Sequence, residues 1–127
     1  MSLRLLVCGG RDDRLGGVGE ALLHGLGRRY GPVTLIHGDA RGIDRAAARV
    51  AYELGWDVEP HPADWKGRPR WAAGHERNVE MIHANPNLVI GVKQDFDWSF
   101  SKGGTEDMIG LAREHQVAAY VLQRVTL

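Results

Sequence analysis

The strongest constraint on this chain is a unit that recurs along it: a short strand-like run, a glycine-bearing turn, then residues spaced as one face of a helix. Leu3 to Cys8 is an apolar run ending in Gly9-Gly10-Arg11-Asp12. Val33 to Ile36 runs into His37-Gly38-Asp39-Ala40-Arg41-Gly42-Ile43-Asp44. Leu88 to Val92 leads through a longer segment to Ser101-Lys102-Gly103-Gly104-Thr105-Glu106-Asp107. Short continuous apolar runs are what strands buried on both faces look like. Strands alternating with helical segments call for a largely parallel sheet covered on both sides.

The rest of the chain extends the pattern. Leu15, Val18, Leu22, Leu23 and Leu26 form an apolar stripe that predicts a helix over about residues 15–29, stopped by Gly31-Pro32. Ile43, Ala46, Ala47, Val50, Ala51 and Leu54 make a second stripe, whose alanines allow close packing on a sheet. Asp57 to Pro60 reads as a weaker strand. Pro62 to Gly74 reads as an irregular loop, followed by a helix over about 75–84 with Val79 and Ile82 inward. Lys93 to Lys102 reads as a mobile polar and aromatic loop, then come a helix over 105–114 and a last strand over 117–122. The expected order is β-α-β-α-β-α-β-α-β. It corresponds to one Rossmann-like three-layer α/β domain over residues 1–127 with a mostly parallel sheet of about five strands.

Composition matters for what it excludes. The 16 Lys and Arg balance the 16 Asp and Glu, so no bulk field draws the chain to nucleic acid or an anionic membrane. No stretch is apolar enough to span a bilayer, and the first ten residues are too soon broken for a signal peptide. The single cysteine, Cys8, has no internal partner, which fits a reducing compartment, and a cytoplasmic location is expected. Its place at the end of an apolar strand makes it an inert core residue.

In open α/β sheets, ligands bind beyond the carboxyl ends of the strands. Glycine lets backbone N–H groups come close to a ligand, and a helix N-terminus adds unpaired donors and a positive dipole end. Gly9, Gly10, Gly38, Gly42, Gly103 and Gly104 with Arg11, Arg41 and Lys102 therefore point to a phosphate, since guanidinium matches phosphate oxygens in a fork. Thr105 and Asp44 sit early in helices, where capping competes with binding. His37 stands beside a glycine turn, where it either donates to an anion or is a buried, hydrogen-bonded histidine. Trp65 offers a stacking face or a packing anchor, with Lys66, Arg68 and Arg70 nearby. The dinucleotide fingerprint G-x-G-x-x-G and the Walker lysine motif are both missing, and no histidine or cysteine spacing fits a metal. No cofactor and no metal are expected.

Several blocks also resemble a known group. Gly9-Gly10-Arg11, His37 through Asp44, Ala63-Asp64-Trp65, Ala73-Gly74, Arg77-Asn78 with Met81, and Gly104 through Met108 occur in order along nearly the whole chain. Together they resemble the SLOG superfamily of Rossmann-like nucleotide-binding proteins, in particular its small stand-alone YspA-like branch. The resemblance implies a phosphorylated nucleotide or nucleotide derivative as ligand, and relatives often form dimers or larger homo-oligomers. Ala40 to Asp44 is similar to a block of the DNA-processing protein A family, which binds single-stranded DNA. A nucleic-acid partner ranks below a small nucleotide because the net charge is zero.

His75-Glu76-Arg77-Asn78 with Met81 resembles the LOG phosphoribohydrolases, which cleave the bond between base and ribose phosphate using an arginine and a glutamate. Arg77 matches that arginine. Met108 stands three residues after Thr105, where those enzymes have glutamate, so the carboxylate in such chemistry would come from Glu106 or Asp107. Three readings follow: a nucleotide sensor or sequestering module, a hydrolase of the N-glycosidic bond, and a single-strand binder.

Overall fold

The computed structural model describes residues 2–100 and 103–123. Nine elements follow one another: β1 (Leu3–Gly9), α1 (Gly16–Tyr30), β2 (Val33–His37), α2 (Ile43–Glu53), β3 (Asp57–Pro60), α3 (Arg70–His83), β4 (Leu88–Val92), α4 (Gly103–Glu114) and β5 (Ala118–Leu122). The five strands form one sheet in the order β3-β2-β1-β4-β5, and every neighbouring pair is parallel. This is a Rossmann-like α/β fold. β1 is central, with Leu5 opposite Leu35 on one side and Leu88 on the other.

Successive side chains of a strand point to opposite faces, and β1 divides accordingly. Leu3, Leu5 and Val7 join the core beneath α1 and α2, with Leu23, Leu35, Ile43, Ala47, Val50 and Ala51. Leu6 and Cys8 join the core beneath α3 and α4, with Ile36, Met81, Ile82, Val89, Met108 and Ile109. The sheet is thus the middle of three layers.

Three local expectations need correction. Val18 is 65% exposed and Leu22 is also exposed, so they do not belong to the inward stripe of α1. Gly19 takes that place: it is buried against the Leu15 side chain, with Leu23 one turn on. Next, the segment from Pro62 is not irregular as far as Gly74, because α3 begins at Arg70. Pro69 precedes the helix with its carbonyl accepting from the N–H groups of Ala72 and Ala73. A proline ahead of the first helical residue forfeits no hydrogen bond. Finally, 93–100 is anchored. Phe96 is buried, its ring 4.7 Å from Trp98 and 5.9 Å from Phe100, and the Asp97 N–H donates to Glu106 Oε2 at 2.9 Å. Lys102 lies outside the described residues.

Candidate functional site

The sheet order reverses between β1 and β4, since β2 and β3 continue to one side and β4 and β5 to the other. A crevice opens at the carboxyl ends of strands at such a point. Here it is a cleft of about 810 Å³, bounded by Cys8, Gly9, Gly10 and Arg11 from the end of β1, Ala40 and Asp44 at the start of α2, and Trp65. Arg70, Trp71, Gly74, His75, Arg77, Asn78 and Met81 of α3 form another wall. Lys93, Phe100, Gly103, Gly104, Thr105 and Asp107 close it. That volume is in the range of small-molecule sites.

The first two turns are shaped first by packing. Gly42 has φ of +83°, and a Cβ there would lie 2.5 Å from the Gly10 and Arg11 carbonyl oxygens, so only glycine lets α2 begin so close to the end of β1. At Gly38 the neighbour is Arg77, whose guanidinium lies where a Cβ would be and donates from Nη1 to the Gly38 carbonyl at 2.6 Å. Asp44 fastens the same turn from within: it is buried and accepts the Gly38 N–H on Oδ2 at 2.9 Å. Burial pushes its pKa up to about 6, against the pull of Arg77 and the N–H donors of Gly38 and Ala40.

Arg77 is the hub of the polar wall. Beyond Gly38, its Nε donates to Asn78 Oδ1 at 3.1 Å. Asn78, itself buried, donates from Nδ2 to the Gly104 carbonyl and to Asp107 Oδ2, both at 3.0 Å. Asp107 in turn holds His75 Nδ1 at 2.9 Å. A continuous network thus joins the β2–α2 turn, α3 and the first turn of α4. Thr105 is buried in that turn, and the N-terminus of α4, with Gly103 at φ of +80°, faces the cleft.

A second compartment of about 490 Å³ adjoins the cleft. It shares Arg11, Ala40, Trp65, Arg70 and Arg77 with it and adds Gly38, Asp39, Arg41, Arg45, Pro62 and Ala63. The guanidiniums of Arg11 and Arg70 lie over the Trp65 ring, 5.6 and 5.5 Å from its centre. Trp65 therefore serves two cations, each within cation–π range. Burial and the like charges of Arg70, Arg41 and Arg77 lower the pKa of Arg11, with Asp44 acting in the other direction. Among the described residues neither Arg11 nor Arg70 has an ion-pair partner, whereas Arg41 pairs with Asp12 at 3.2 Å and Arg45 with Asp39 at 3.3 Å.

The sequence-expected residues are thus distributed unequally. Gly9, Gly10, Arg11, Asp44, Trp65, Arg77, Asn78, Gly103, Gly104 and Thr105 line the cleft. Gly38 and Arg41 line the side compartment, and Gly42 shapes the turn between them. His37 lines neither: it is buried, accepts the Asp39 N–H on Nδ1 at 3.0 Å, and burial lowers its pKa. Glu106 does not line the cleft either. It is 0% exposed, with Lys93 Nζ at 3.0 and 2.9 Å from its two carboxylate oxygens, and of the adjacent pair Glu106 and Asp107 it is Asp107 that lines the cleft.

Sequence reasoning missed Trp71, His75, Arg45 and Lys93 as wall residues. It placed Arg70 and Trp71 in a loop, so their position at the head of a helix facing the cleft was hidden. Cys8 lines the cleft, but burial raises its thiol pKa far above the ordinary value, so it stays protonated. Among the described residues no three His, Cys, Asp or Glu side chains are grouped to hold a metal, and no helix is long and apolar enough to cross a membrane.

Comparison with known proteins adds three findings. The model of the YspA, cpYpsA-related SLOG family matches residues 3–67, from β1 to the loop that carries Trp65. The Gene 61 protein of Mycobacterium phage D29 is 36% identical over 94 residues, covering 68% of this chain and 74% of the phage protein. The C-terminal domain of PF1911 hydrogenase from Pyrococcus furiosus superposes with a TM-score of 0.50 at 15% identity, over 94% of this chain and 90% of that domain, a likeness of fold.

Proposed function

The chain belongs to the YspA, cpYpsA-related SLOG family, and on that premise we propose that it binds a phosphorylated nucleotide or nucleotide derivative at the β1/β4 switch, as a sensor or sequestering module. One observation carries this reading. The guanidiniums of Arg11, Arg70 and Arg77 and the N-terminus of α4 border one cleft, and Arg11 and Arg70 have no ion-pair partner among the described residues. Neighbouring guanidiniums that lack ion-pair partners of their own favour an anion between them, and phosphate suits both the guanidinium fork and the helix end. The apolar walls, Trp71, Met81 and Phe100, suit a base or sugar.

The test is a thermal-shift screen against nucleotides, nucleotide sugars such as ADP-ribose and short single-stranded DNA, with mass spectrometry of each mixture. A ligand at a hundred times its dissociation constant stabilises by about 2.7 kcal/mol, a shift that is readily seen. Stabilisation by an intact nucleotide supports the binding reading. No stabilisation by any nucleotide rejects it.

A second reading, hydrolysis of the N-glycosidic bond of a nucleotide, is favoured by the pairing of Asp107 with His75 on the cleft wall near Arg77. Breaking that bond puts positive charge on the sugar ring, which a carboxylate stabilises. Water adds to the anomeric carbon, the base leaves with the bonding electrons, and a proton passes from the water to the base. Asp107 supplies the charge, with Arg77 on the phosphate and Glu106 kept to Lys93. Free base in the mixture, abolished in Arg77→Ala, supports this reading. Intact nucleotide after long incubation rejects it.

A further inference from the structure

Resting on the nucleotide reading above, we infer that the side compartment is a second anion subsite, so that the ligand class is nucleotides carrying a further phosphate beyond the first. The two spaces differ in chemistry and communicate. The main cleft has Trp71, Met81 and Phe100 on its walls, whereas the adjoining space of about 490 Å³ is lined by five arginines, Arg11, Arg41, Arg45, Arg70 and Arg77, against one carboxylate, Asp39. Three of the five are shared with the cleft, so a phosphate chain leaving the cleft passes directly into the arginine-lined space.

The present counter-charges do not block such a ligand. Arg41 is held by Asp12 and Arg45 by Asp39, but both pairs are single contacts between exposed side chains. Exposed pairs of this kind contribute little, so phosphate oxygens displace the carboxylates at small cost. Phosphate also offers each guanidinium a two-pronged partner, which the single Asp contacts here do not. A solvated charged surface would explain arginines that point apart. It does not explain five of them bordering one concavity that opens into the cleft at the topological switch.

The experiment compares mono-, di- and triphosphates of each common nucleoside by calorimetry, on the intact protein and on the double variant Arg41→Gln/Arg45→Gln. These two arginines line only the side compartment, and both side chains are largely exposed. The intact protein is expected to bind the di- or triphosphate on the order of tenfold or more tighter than the monophosphate. In the double variant that gain should disappear, with the melting temperature unchanged and the monophosphate still bound. Equal affinity for mono- and polyphosphates overturns the second subsite and leaves the nucleotide reading standing. So does a double variant that keeps the full gain. Binding of none of these nucleotides overturns the second subsite, and the nucleotide reading falls with it if the nucleotide sugars also fail to stabilise the protein.

Discussion

Arg77 and Gly38, both on the side compartment, are joined by a 2.6 Å hydrogen bond from Nη1 to the carbonyl oxygen, with the guanidinium occupying the space that a side chain at 38 would fill. One contact thus sets the position of a turn and of a cation. Arg77→Lys keeps the charge and loses the fork, because an ammonium cannot bond Gly38 and Asn78 together in one plane. The expected result is a loss of about 1–2 kcal/mol in urea unfolding, the scale of a hydrogen bond from a charged group, with nucleotide affinity down by roughly tenfold. Unchanged affinity in a folded Lys variant would remove Arg77 from the ligand site.

The glycines divide by what surrounds them, and alanine substitution should separate them. At Gly42, φ of +83° and the carbonyls 2.5 Å from a Cβ leave no place for alanine. Gly42→Ala is expected to cost more than about 2 kcal/mol, from left-handed strain together with overlap. At Gly104 no atom lies within 4 Å of an added Cβ, and the residue is helical. Gly104→Ala should be neutral or stabilising by about 0.5–1 kcal/mol, yet its methyl would take up open space at the first turn of α4, which borders the cleft. Weaker nucleotide binding in a variant of undiminished stability is the expected outcome. Full binding there would mean that the phosphate does not rest on α4.

Glu106 and Lys93 form a pair whose acid is wholly buried, with both carboxylate oxygens engaged. Breaking such a pair leaves a poorly compensated charge. Glu106→Gln is expected to cost about 2–4 kcal/mol and to loosen the 93–100 segment, since the carboxylate also receives the Asp97 N–H. Asp107→Asn should leave stability nearly intact and act on the cleft through His75. If Glu106→Gln leaves urea stability unchanged while removing a measured activity, the assignment of Glu106 to structure is wrong.

Much of this was legible in the sequence, and the rest failed for identifiable reasons. The strands were legible because those buried on both faces read as unbroken apolar runs. Part of the inward face of α1 was not, because Gly19 fills a position where a hydrophobic residue is looked for. The head of α3 was hidden because Pro69, with no side-chain cap, and Trp71 read as loop, which concealed how Arg70 and His75 reach the cleft. The choice between Glu106 and Asp107 was beyond sequence reading. Consecutive helical residues point about 100° apart, so whichever faces Lys93, the other faces Asn78, and only the packing of α4 on α3 decides.

Asp44 gives the protein a pH dependence with a definite sign. Its pKa rises from 3.8 to about 6 on folding, chiefly because burial disfavours the carboxylate. Between those values the folded chain holds a proton that the unfolded chain has released, so this group's effect on stability is most favourable below about pH 4 and declines as pH rises to about 6. Above that range the charge costs on the order of 3 kcal/mol. Asp44→Asn removes the titration and keeps an oxygen for the Gly38 N–H. Urea midpoints of the two proteins should therefore diverge in favour of the Asn variant between pH 4 and 7. A difference that stays constant across that range would show that Asp44 does not titrate there, and its burial would then be balanced by the donors of Gly38, Ala40 and Arg77.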